Sequence, residues 1–374
     1  MKIAHLTSVH PRHDVRIFAR QCRSLAAAGH HVTLVVADGN GEEMRDGVAI
    51  TDAGRSRSRF ARMTGATYRV FTKAKALEAD VYQLHDPELL PVGLALKKAG
   101  NRVIFDAHED VPLQILAKDY LPAFMRRAVS ASFAVFERLA CRRLDAVIAA
   151  TPTIREKFAR IGIRTQVVAN FPLEDEFAAV MSGNTKAAEV CYVGAISRIR
   201  GIRQVVEAIG LCRADVRLNL VGALGDGLKA ELACLPGWQK VNAYGFLPRR
   251  EVARVLARSA AGLVTFLPSP NHTAAQPNKM FEYMAAGIAV IASDFPLWRE
   301  IVEGTQSGIC VDPSDPVAIA AAIDRVAGNP EEMRRMGANG YRAVMTCYNW
   351  RSEERKLLGL YSALGQGLAA DETA

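Results

Sequence analysis

The sequence predicts an α/β protein made of two doubly wound, Rossmann-like domains that face a cleft. The chain has 374 residues, which is enough for about two domains, each with its own core. Short apolar runs rich in β-branched residues alternate with longer helical patterns, which is typical of βαβ units around a parallel sheet. The alternation stops after residue 172 and restarts at Val190. We therefore expect one domain on each side of this interruption.

The first half of the chain contains a series of apolar runs that predict strands. They are Lys2 to Leu6, His31 to Val36, Val48 to Thr51, Val81 to Leu84, Arg102 to Asp106, Ala146 to Ala149 and Gln166 to Ala169. Helices are expected between them. The acidic, small-residue stretch from Leu173 to Glu189 predicts the linker.

The second half repeats the pattern. Its predicted strands are Val190 to Val193, Arg217 to Val221, Val241 to Ala243, Gly262 to Phe266, Ile288 to Ala292 and Gly308 to Val311. A last helical pattern covers about Trp350 to Leu364. The expected domains are therefore residues 1–172 and 173–349, with a C-terminal segment 350–374 that packs back across the hinge. Because ligands bind at the carboxyl ends of parallel strands, the interdomain cleft is the expected active site.

Charge is distributed unevenly along the chain. There are 47 Lys and Arg against 39 Asp and Glu, a formal net charge of +8. Residues 1–170 hold 26 basic and 17 acidic side chains, so the first half carries the whole basic excess. The basic side chains cluster within 45–75 and along the apolar helical pattern from Ala123 to Leu144. They are Arg45, Arg55, Arg57, Arg59, Arg62, Arg69, Lys73 and Lys75, then Arg126, Arg127, Arg138, Arg142 and Arg143.

Basic residues beside an apolar helix face favour an anionic membrane surface, and the alternative is an ordinary solvated face. A nucleic-acid partner is not expected, because the basic run carries no recognisable reader motif. No apolar run is long enough to span a bilayer, and the N-terminus lacks the apolar centre of a signal peptide. We expect a cytoplasmic protein, peripheral on the cytoplasmic face of the inner membrane. The 7 cysteines form no CxxC pair or Cys/His metal spacing, which predicts reduced thiols and no bound metal.

The most informative stretch runs from Gln276 to Asp294. Pro277 suits a helix start, which would place Asn278 and Lys279 in the first turn, where free N–H groups and the positive end of the helix dipole hold phosphate. Glu282 would lie one turn further along, where a carboxylate could accept two hydroxyls of a ribose. The alternative is a capped helix with a surface lysine and a solvated glutamate.

This stretch resembles the donor-binding element of GT-B glycosyltransferases, especially the family 4 group that makes bacterial surface polysaccharides and glycolipids. The resemblance covers nearly the whole chain. Tyr192 to Ile202 matches the strand, loop and helix that begin that group's donor domain. The resemblance implies that Glu282 binds the ribose, and that Arg198, Arg200 and Lys279 neutralise the donor diphosphate.

Two positions depart from the family pattern. A second glutamate that commonly touches the donor sugar is replaced by Ala274. The arginine of the family's Gly-Arg loop is replaced by Ala195, which shifts the expected diphosphate contacts to Arg198, Arg200 and Lys279. Contacts with the sugar must therefore come from other residues.

Polar clusters follow several strands of the first half. His108, Glu109 and Asp110 come directly after one strand and are the candidate catalytic residues. The matching histidine of the family lies beside the donor sugar, so His108 is the leading candidate. Its alternative is a loop histidine that caps the next helix. His85 and Asp86 follow another strand and are expected near the acceptor.

The first strand leads into a polar, basic loop where many relatives have a glycine-rich one. His10, Asp14 and Arg16 are expected to contact acceptor or donor, with Asp14 and Arg16 paired. The alternative is that Asp14 caps the following helix and Arg16 lies in its first turn.

The resemblance implies a retaining, metal-independent, hexosyltransferase-like enzyme of cell-envelope polysaccharide biosynthesis. Its donor would be a nucleotide-diphosphate sugar, UDP- or GDP-linked, with no cofactor, and its acceptor a polysaccharide precursor or lipid-linked glycan. The alternatives are an inverting transferase with a His, Asp or Glu base, a nucleotide-sugar epimerase, or a non-catalytic partner that binds sugar nucleotides.

Overall fold

The structure is a computed structural model that describes residues 1–58, 61–116, 122–174 and 188–371. It separates into two compact units. Unit 1 comprises Met1–Asn170 and Ser352–Ala374, and unit 2 comprises Phe171–Arg351. Most of the predicted linker, residues 175–187, lies outside the described residues, as does Arg59 of the basic run.

The sheet of unit 1 has the strand order β3-β4-β2-β1-β5-β6-β7-β8. Its strands are β1 Lys2–Leu6, β2 His31–Val36, β3 Glu43–Arg45, β4 Val48–Asp52, β5 Val81–Leu84, β6 Arg102–Ala107, β7 Ala146–Ala149 and β8 Thr165–Val167. All pairings are parallel except the β3–β4 hairpin. The strand order reverses between β1 and β5, so the carboxyl ends of these two strands form the switch point where open α/β sheets bind ligands.

Apart from single-residue shifts at strand ends, the strands of unit 1 differ from the predicted ones at two points. The predicted strand Gln166 to Ala169 is found at Thr165–Val167. The hairpin strand β3 was not predicted, although its turn contains the signal: Asp46 and Gly47 have φ of 49° and 77°. An Asp-Gly pair with positive φ at both residues is typical of a tight two-residue hairpin.

Helices cover the sheet of unit 1. They are α1 Arg23–Ala27, α2 Thr67–Leu77, α3 Leu90–Lys98, α4 Val111–Leu116, α5 Ala123–Cys141 and α6 Pro152–Ala159, with π-helical turns Ile17–Cys22 and Arg62–Ala66 and a 3₁₀ turn Pro87–Leu89. Side chains of α2, α3 and α5 meet those of the central strands in one buried cluster.

The sheet of unit 2 is entirely parallel, with the order β11-β10-β9-β12-β13-β14. Its strands are β9 Glu189–Val193, β10 Arg217–Val221, β11 Val241–Gly245, β12 Ala261–Val264, β13 Ala289–Ser293 and β14 Gly308–Val311. The helices are α7 Ile202–Leu211, α8 Asp226–Ala233, α9 Arg249–Arg258, α10 Pro270–Thr273, α11 Asn278–Ala285, α12 Pro296–Val302, α13 Pro316–Gly328 and α14 Pro330–Thr346, with 3₁₀ turns Arg198–Arg200 and Pro236–Lys240. The switch point of this sheet lies between β9 and β12.

The last helix, α15, runs over Trp350–Asp371, about two turns beyond the predicted end at Leu364. Its residues from Ser352 onward belong to unit 1. Leu357 and Tyr361 are fully buried there, and the Tyr361 hydroxyl donates to Gln83 Oε1 at 2.6 Å. The C-terminal helix is therefore part of the core of the N-terminal unit.

Candidate active site

Glycines shape the strand ends of unit 2 at its switch point. Gly194 follows β9 with φ of 109°, and Gly222 follows β10 with φ of 149°. A Cβ at Gly222 would overlap the carbonyl oxygen of Gly194, so only glycine lets the two loops approach this closely. Gly194 and Ala195 are exposed, and the carboxyl end of β9 thus presents backbone to solvent.

Lys279 is buried in the first turn of α11, below this loop. Only 7% of the residue is exposed, and its Nζ lies 3.5 Å from the centroid of the Tyr192 ring. No described residue accepts a hydrogen bond from Nζ. Burial and the charge of Arg200 lower the pKa of the amine well below its usual value, with Glu282 opposing them. Because a buried amine without an acceptor is costly, this position suits an anionic ligand that supplies one.

Phe266, two residues after β12, brings Lys279 together with two other nitrogen-bearing side chains. The Arg200 Cζ and the Lys279 Nζ lie 5.2 Å and 5.4 Å from its ring centroid. The His272 ring is 4.9 Å away, centroid to centroid. Sequence reasoning placed Phe266 at the end of the predicted strand Gly262 to Phe266 and missed its role, although an aromatic residue at the carboxyl end of a central strand was an available signal; the observed strand ends at Val264.

His272 is held in one orientation. Its Nδ1–H donates to the Leu267 carbonyl at 3.0 Å, which leaves Nε2 as an acceptor. Burial and the charge of Arg200 lower the pKa of His272, although the hydrogen bond to Leu267 opposes them. This half-buried imidazole was not among the predicted site residues.

In the segments that carry Phe266 and Lys279, two other buried polar atoms have no partner among the described residues. They are Thr265 Oγ1 and Gln276 Oε1, and Thr265 is fully buried. Buried polar atoms without partners are rare in folded proteins. Thr265 directly precedes Phe266, and Gln276 lies three positions before Lys279 in the chain, so both belong to the segments that carry this site.

Two of the other predicted donor-site residues, Glu282 and Arg198, are engaged in ion pairs, whereas Asn278 is exposed. Glu282 is one turn beyond Lys279, but Arg249 donates to its Oε1 at 2.8 Å. Arg198 pairs with Glu231, donating through Nε to Oε2 at 2.8 Å. Asn278 is exposed at the start of α11, where N–H groups are free to meet an anion.

In unit 1, Asp86 is the centre of a buried cluster at the switch point. Its Oδ2 accepts from Thr7 Oγ1 at 2.8 Å and from the Ser8 N–H at 2.6 Å. Thr7 and Ser8 follow β1, whereas Asp86 follows β5. Because the two strands are neighbours, their carboxyl ends bring together residues that are almost eighty positions apart in the chain.

His10 lies between two carboxylates of this cluster. Its Nε2 is 3.4 Å from Asp86 Oδ1, and its Nδ1 is 3.5 Å from Asp14 Oδ2. Burial opposes protonation, but the hydrogen bond to Asp14 and the charges of Asp86 and Asp14 raise the pKa of His10. Because a raised pKa favours the protonated imidazole, His10 is a weaker candidate for a general base.

The predicted pair between Asp14 and Arg16 is wrong. Asp14 Oδ1 instead accepts from the backbone N–H groups of Arg16 and Ile17 at 2.8 Å and 2.9 Å, which is the helix-capping alternative. The Arg16 guanidinium binds both oxygens of Asp106, at 3.0 Å and 2.6 Å. A bidentate pair across the sheet is stronger than a contact within one loop, and it explains the outcome.

Asp106 also organises the predicted acceptor residue His85. His85 Nδ1–H donates to Asp106 Oδ2 at 3.0 Å, and His85 Nε2 accepts from His5 Nδ1–H at 2.9 Å. His85 is fully buried, so it supports the site from within the core and does not face a ligand.

The three predicted catalytic residues after β6 separate in space. His108 is half-buried; its Nδ1–H donates to the Asp106 carbonyl at 3.2 Å, and its ring lies 5.1 Å from that of His10. Burial dominates and lowers the pKa of His108, while the charge of Asp106 opposes this effect. Asp110 pairs with Lys157 at 3.1 Å, and Glu109 is exposed and bonded to Gln114. Of the three, His108 is therefore the one that lies beside His10 in the cluster of Asp86, and no described residue is hydrogen-bonded to its Nε2.

Neither a metal cluster nor a membrane span is found in the described parts of the chain. Within those residues no group of three or more His, Cys, Asp or Glu side chains is arranged to hold a metal ion. No described helix is both long enough and apolar enough to cross a bilayer.

Two family models match the chain, one over each half. Residues 15–173 match the "Glycosyl transferase 4-like domain" model. Residues 174–343 match the model described as "Glycosyl transferases group 1". The two models meet within one residue of each other and together cover most of the chain.

Curated relatives show the same kinship. The chain is 27% identical over 186 residues to an MMP alpha-(1->4)-mannosyltransferase of Mycolicibacterium hassiacum, covering 48% of this chain and 44% of that protein, so it spans less than half of that relative's length. It is 25% identical over 293 residues to the lipopolysaccharide core biosynthesis glycosyltransferase LpsD of Rhizobium meliloti, covering 71% of this chain and 79% of that protein.

Solved structures share the fold. Sucrose-phosphate synthase from Thermosynechococcus elongatus superposes with a TM-score of 0.77 at 21% identity, covering 98% of this chain and 99% of that one. HepE from Anabaena, solved in complex with UDP-glucose, superposes with a TM-score of 0.73 at 17% identity, covering 97% and 100%. Both units therefore take the Rossmann-like form of GT-B glycosyltransferases.

Proposed function

The chain belongs to the group 1 glycosyltransferases of the GT-B fold, and from that premise we propose that it moves a sugar from a nucleotide-diphosphate sugar to a hydroxyl of a polysaccharide precursor or lipid-linked glycan. One observation carries the proposal. Lys279 holds a buried amine for which no described residue is an acceptor, near Arg200 and close to the glycine loop at the switch point of unit 2.

The chemistry expected at Lys279 and Arg200 follows from their charge. The bond between the anomeric carbon and the β-phosphate oxygen breaks, and the leaving diphosphate gains negative charge. Arg200 and Lys279 stabilise that charge more in the transition state than in the bound donor, which accelerates the reaction. Glu282 accepts hydrogen bonds from the ribose hydroxyls after its bond with Arg249 breaks. Arg198 reaches the diphosphate only if its ion pair with Glu231 breaks.

We infer a retaining, metal-independent reaction in which the leaving diphosphate accepts the proton of the acceptor hydroxyl. The new bond joins that hydroxyl oxygen to the anomeric carbon, so no protein nucleophile is required. The raised pKa of His10 and the pairing of Asp110 with Lys157 weaken these two residues as the general base that the inverting alternative needs. In this proposal His108 positions the sugar through Nε2, and Glu109, which accepts from Gln114, is assigned no contact with donor or acceptor.

We further propose that the donor is a uridine-diphosphate sugar and that the acceptor is a glycan or a lipid-linked glycan. The reaction would take place on the cytoplasmic face of the inner membrane. The solved HepE complexes contain UDP and UDP-glucose, and LpsD is a lipopolysaccharide core enzyme. The excess of basic side chains in the first half would favour acceptors or surfaces with negative charge.

The experiment is a thermal-shift screen against UDP-, GDP-, ADP- and TDP-sugars, followed by NMR of the anomeric proton in the product. UDP-sugars should raise the melting temperature of the wild type and fail to do so for Lys279→Met, while Lys229→Met, an exposed lysine of the same unit, keeps the response. Folded protein that responds to no nucleotide sugar contradicts the function. A product with inverted configuration contradicts the retaining mechanism alone.

A further inference from the structure

Helix α5, Ala123–Cys141, is the longest described helix of unit 1 apart from α15, and its inner face is well covered. Ser130, Glu137, Ala140 and Cys141 are buried. Glu137 is the only acidic residue of this helix, and its carboxylate points inward to Lys157 at 2.6 Å. The helix is therefore fixed to the unit by one face only.

The outer face of α5 is apolar although it is exposed. Phe124 and Val135 are 74% and 59% exposed. They are eleven positions apart, which is about three helical turns and puts both on one side. The large apolar side chains exposed along α5 are Phe124, Met125, Val129, Val135, Phe136 and Leu139. A concentration of this size on one surface of a soluble domain usually marks an interaction site.

The charged side chains on the outer side of α5 have a single sign. Arg127, Arg138 and Arg142 are exposed, and among the residues that the structure describes no carboxylate pairs with them. Because Glu137 is turned inward, the outer face carries no negative charge. An apolar face bordered by unpaired arginines complements a surface that is apolar below and anionic above.

The basic run within 45–75 is less available than its charge suggests. Arg62 pairs with Glu88 at 3.1 Å, and Lys73 pairs with Glu42 at 3.4 Å. Arg69 donates to the carbonyl oxygens of Ala53 and Gly54. Much of this run is therefore used within unit 1, and the strongest outward-facing combination of apolar and basic groups lies on α5.

We propose that α5 is the surface by which this protein docks on an anionic lipid bilayer, with its apolar side chains inserted among the acyl chains and its arginines on lipid phosphates. This rests on the proposed function in one respect, because a lipid-linked acceptor would require the enzyme to work at such a surface. Charge complementarity identifies an anionic bilayer as the partner, because this face presents arginines and no carboxylate that would repel lipid phosphates.

The first test measures co-sedimentation of the full-length protein with phosphatidylcholine vesicles and with vesicles that also contain phosphatidylglycerol. Wild type should bind the mixed vesicles, and the double variant Phe124→Gln/Val135→Gln should bind about tenfold more weakly or worse, because two exposed apolar side chains no longer insert. The matched control is Met44→Gln, which removes an apolar side chain of similar exposure, 72%, from another surface of unit 1. Binding of the control should equal that of the wild type.

The second test removes charge without touching the apolar row. The triple variant Arg127→Gln/Arg138→Gln/Arg142→Gln should lose on the order of fivefold per arginine and most of its salt dependence. The control neutralises three arginines of the same unit outside α5, namely Arg155, Arg160 and Arg164, and should lose less.

Three results would overturn the proposal. The first is no vesicle binding by the wild type, and the second is binding by the α5 variants equal to that of the wild type. The third is that light scattering shows a lipid-free dimer of the wild type and a monomer of the Phe124→Gln/Val135→Gln variant. The last result would mean that a second copy of the chain covers this face. Stabilisation by UDP is measured on every variant. If UDP stabilises the wild type while vesicles fail to bind, the docking surface is wrong and the donor site stands; if vesicles bind and no nucleotide does, the reverse holds.

Discussion

At the scale of single residues, Lys279 shows how burial changes the chemistry of a side chain. An exposed lysine is charged at any physiological pH. Here burial and Arg200 lower the pKa of the amine, and the Tyr192 ring under Nζ offers only a weak cation–π contact in place of a hydrogen-bond acceptor. Restoring the charge when a diphosphate binds would use part of the binding energy.

We predict that UDP binding takes up a proton at Lys279. The diphosphate favours the ammonium form, so affinity should fall as pH rises through the lowered pKa of the free protein. Calorimetry in buffers of different ionisation enthalpy measures the uptake. Lys279→Arg, which stays charged, should bind without that uptake, and Lys279→Met should bind at least tenfold more weakly, roughly the loss of one charge-assisted bond.

His5 makes a second prediction, about stability. Burial and the neighbouring His85 lower the pKa of His5 well below its usual value, with Asp106 opposing, so the unfolded chain binds a proton that the folded chain does not. The free energy of unfolding should therefore fall as pH drops below about 6.5. His10 works in the opposite direction, because its pKa is raised.

Urea unfolding at a series of pH values, compared between wild type and His5→Gln, isolates this contribution. The variant should be less stable near neutral pH but lose less stability on acidification. Parallel curves for the two proteins would show that His5 does not take up the proton.

At the scale of elements, the turn Arg198–Arg200 is fastened to the loop after β12. Gly201 ends the turn with φ of 72°, and the Leu267 N–H donates to the Ile199 carbonyl at 3.0 Å. A Cβ at Gly201 would overlap the carbonyl oxygen of Thr265. The closeness of Arg200 to Phe266 depends on this glycine.

Gly201→Ala should therefore destabilise the protein by roughly 1 to 3 kcal/mol and weaken UDP binding, since the turn must move away from Phe266. Chemical unfolding and calorimetry measure the two effects. Gly227→Ala in α8 is the matched control: a Cβ there meets nothing within 4 Å, and the change should be neutral or stabilising. Equal behaviour of the two variants would contradict the close packing at Gly201.

At the scale of the whole molecule, the chain does not divide into units in sequence order. The last helix completes unit 1 after the chain has built unit 2. Its Glu353 accepts from the Ala169 N–H at 2.8 Å, and Leu357, Leu360 and Leu364 are buried. Stability of the N-terminal unit should therefore depend on the C-terminus.

Leu357→Ala should cost about 2 to 5 kcal/mol, and hydrogen exchange should rise in the strands of unit 1 while unit 2 stays protected and keeps its affinity for UDP. Arg355→Ala, an exposed change on the same helix, should leave exchange unaltered. Faster exchange confined to unit 2 would contradict the assignment of this helix.

The sequence by itself determined the alternation of elements, and with it the doubly wound sheets. Apolar periodicity is local, and a buried parallel strand reads as a short apolar run wherever it lies, so strands such as Lys2–Leu6 and Arg217–Val221 coincide with their predictions. It also singled out Lys279, His108 and Glu282, because phosphate chemistry and family motifs leave marks on neighbouring residues.

The tertiary structure alone decided the partners. Arg16 binds Asp106, ninety positions away, and not Asp14; His85 is buried between His5 and Asp106; and Phe266 joins Arg200, His272 and Lys279. The physical reason is that the strength of an ion pair or the pKa of an amine depends on burial and on groups that approach through space. Local sequence determines neither the burial of a group nor its neighbours in space. The order of the strands in each sheet determines both.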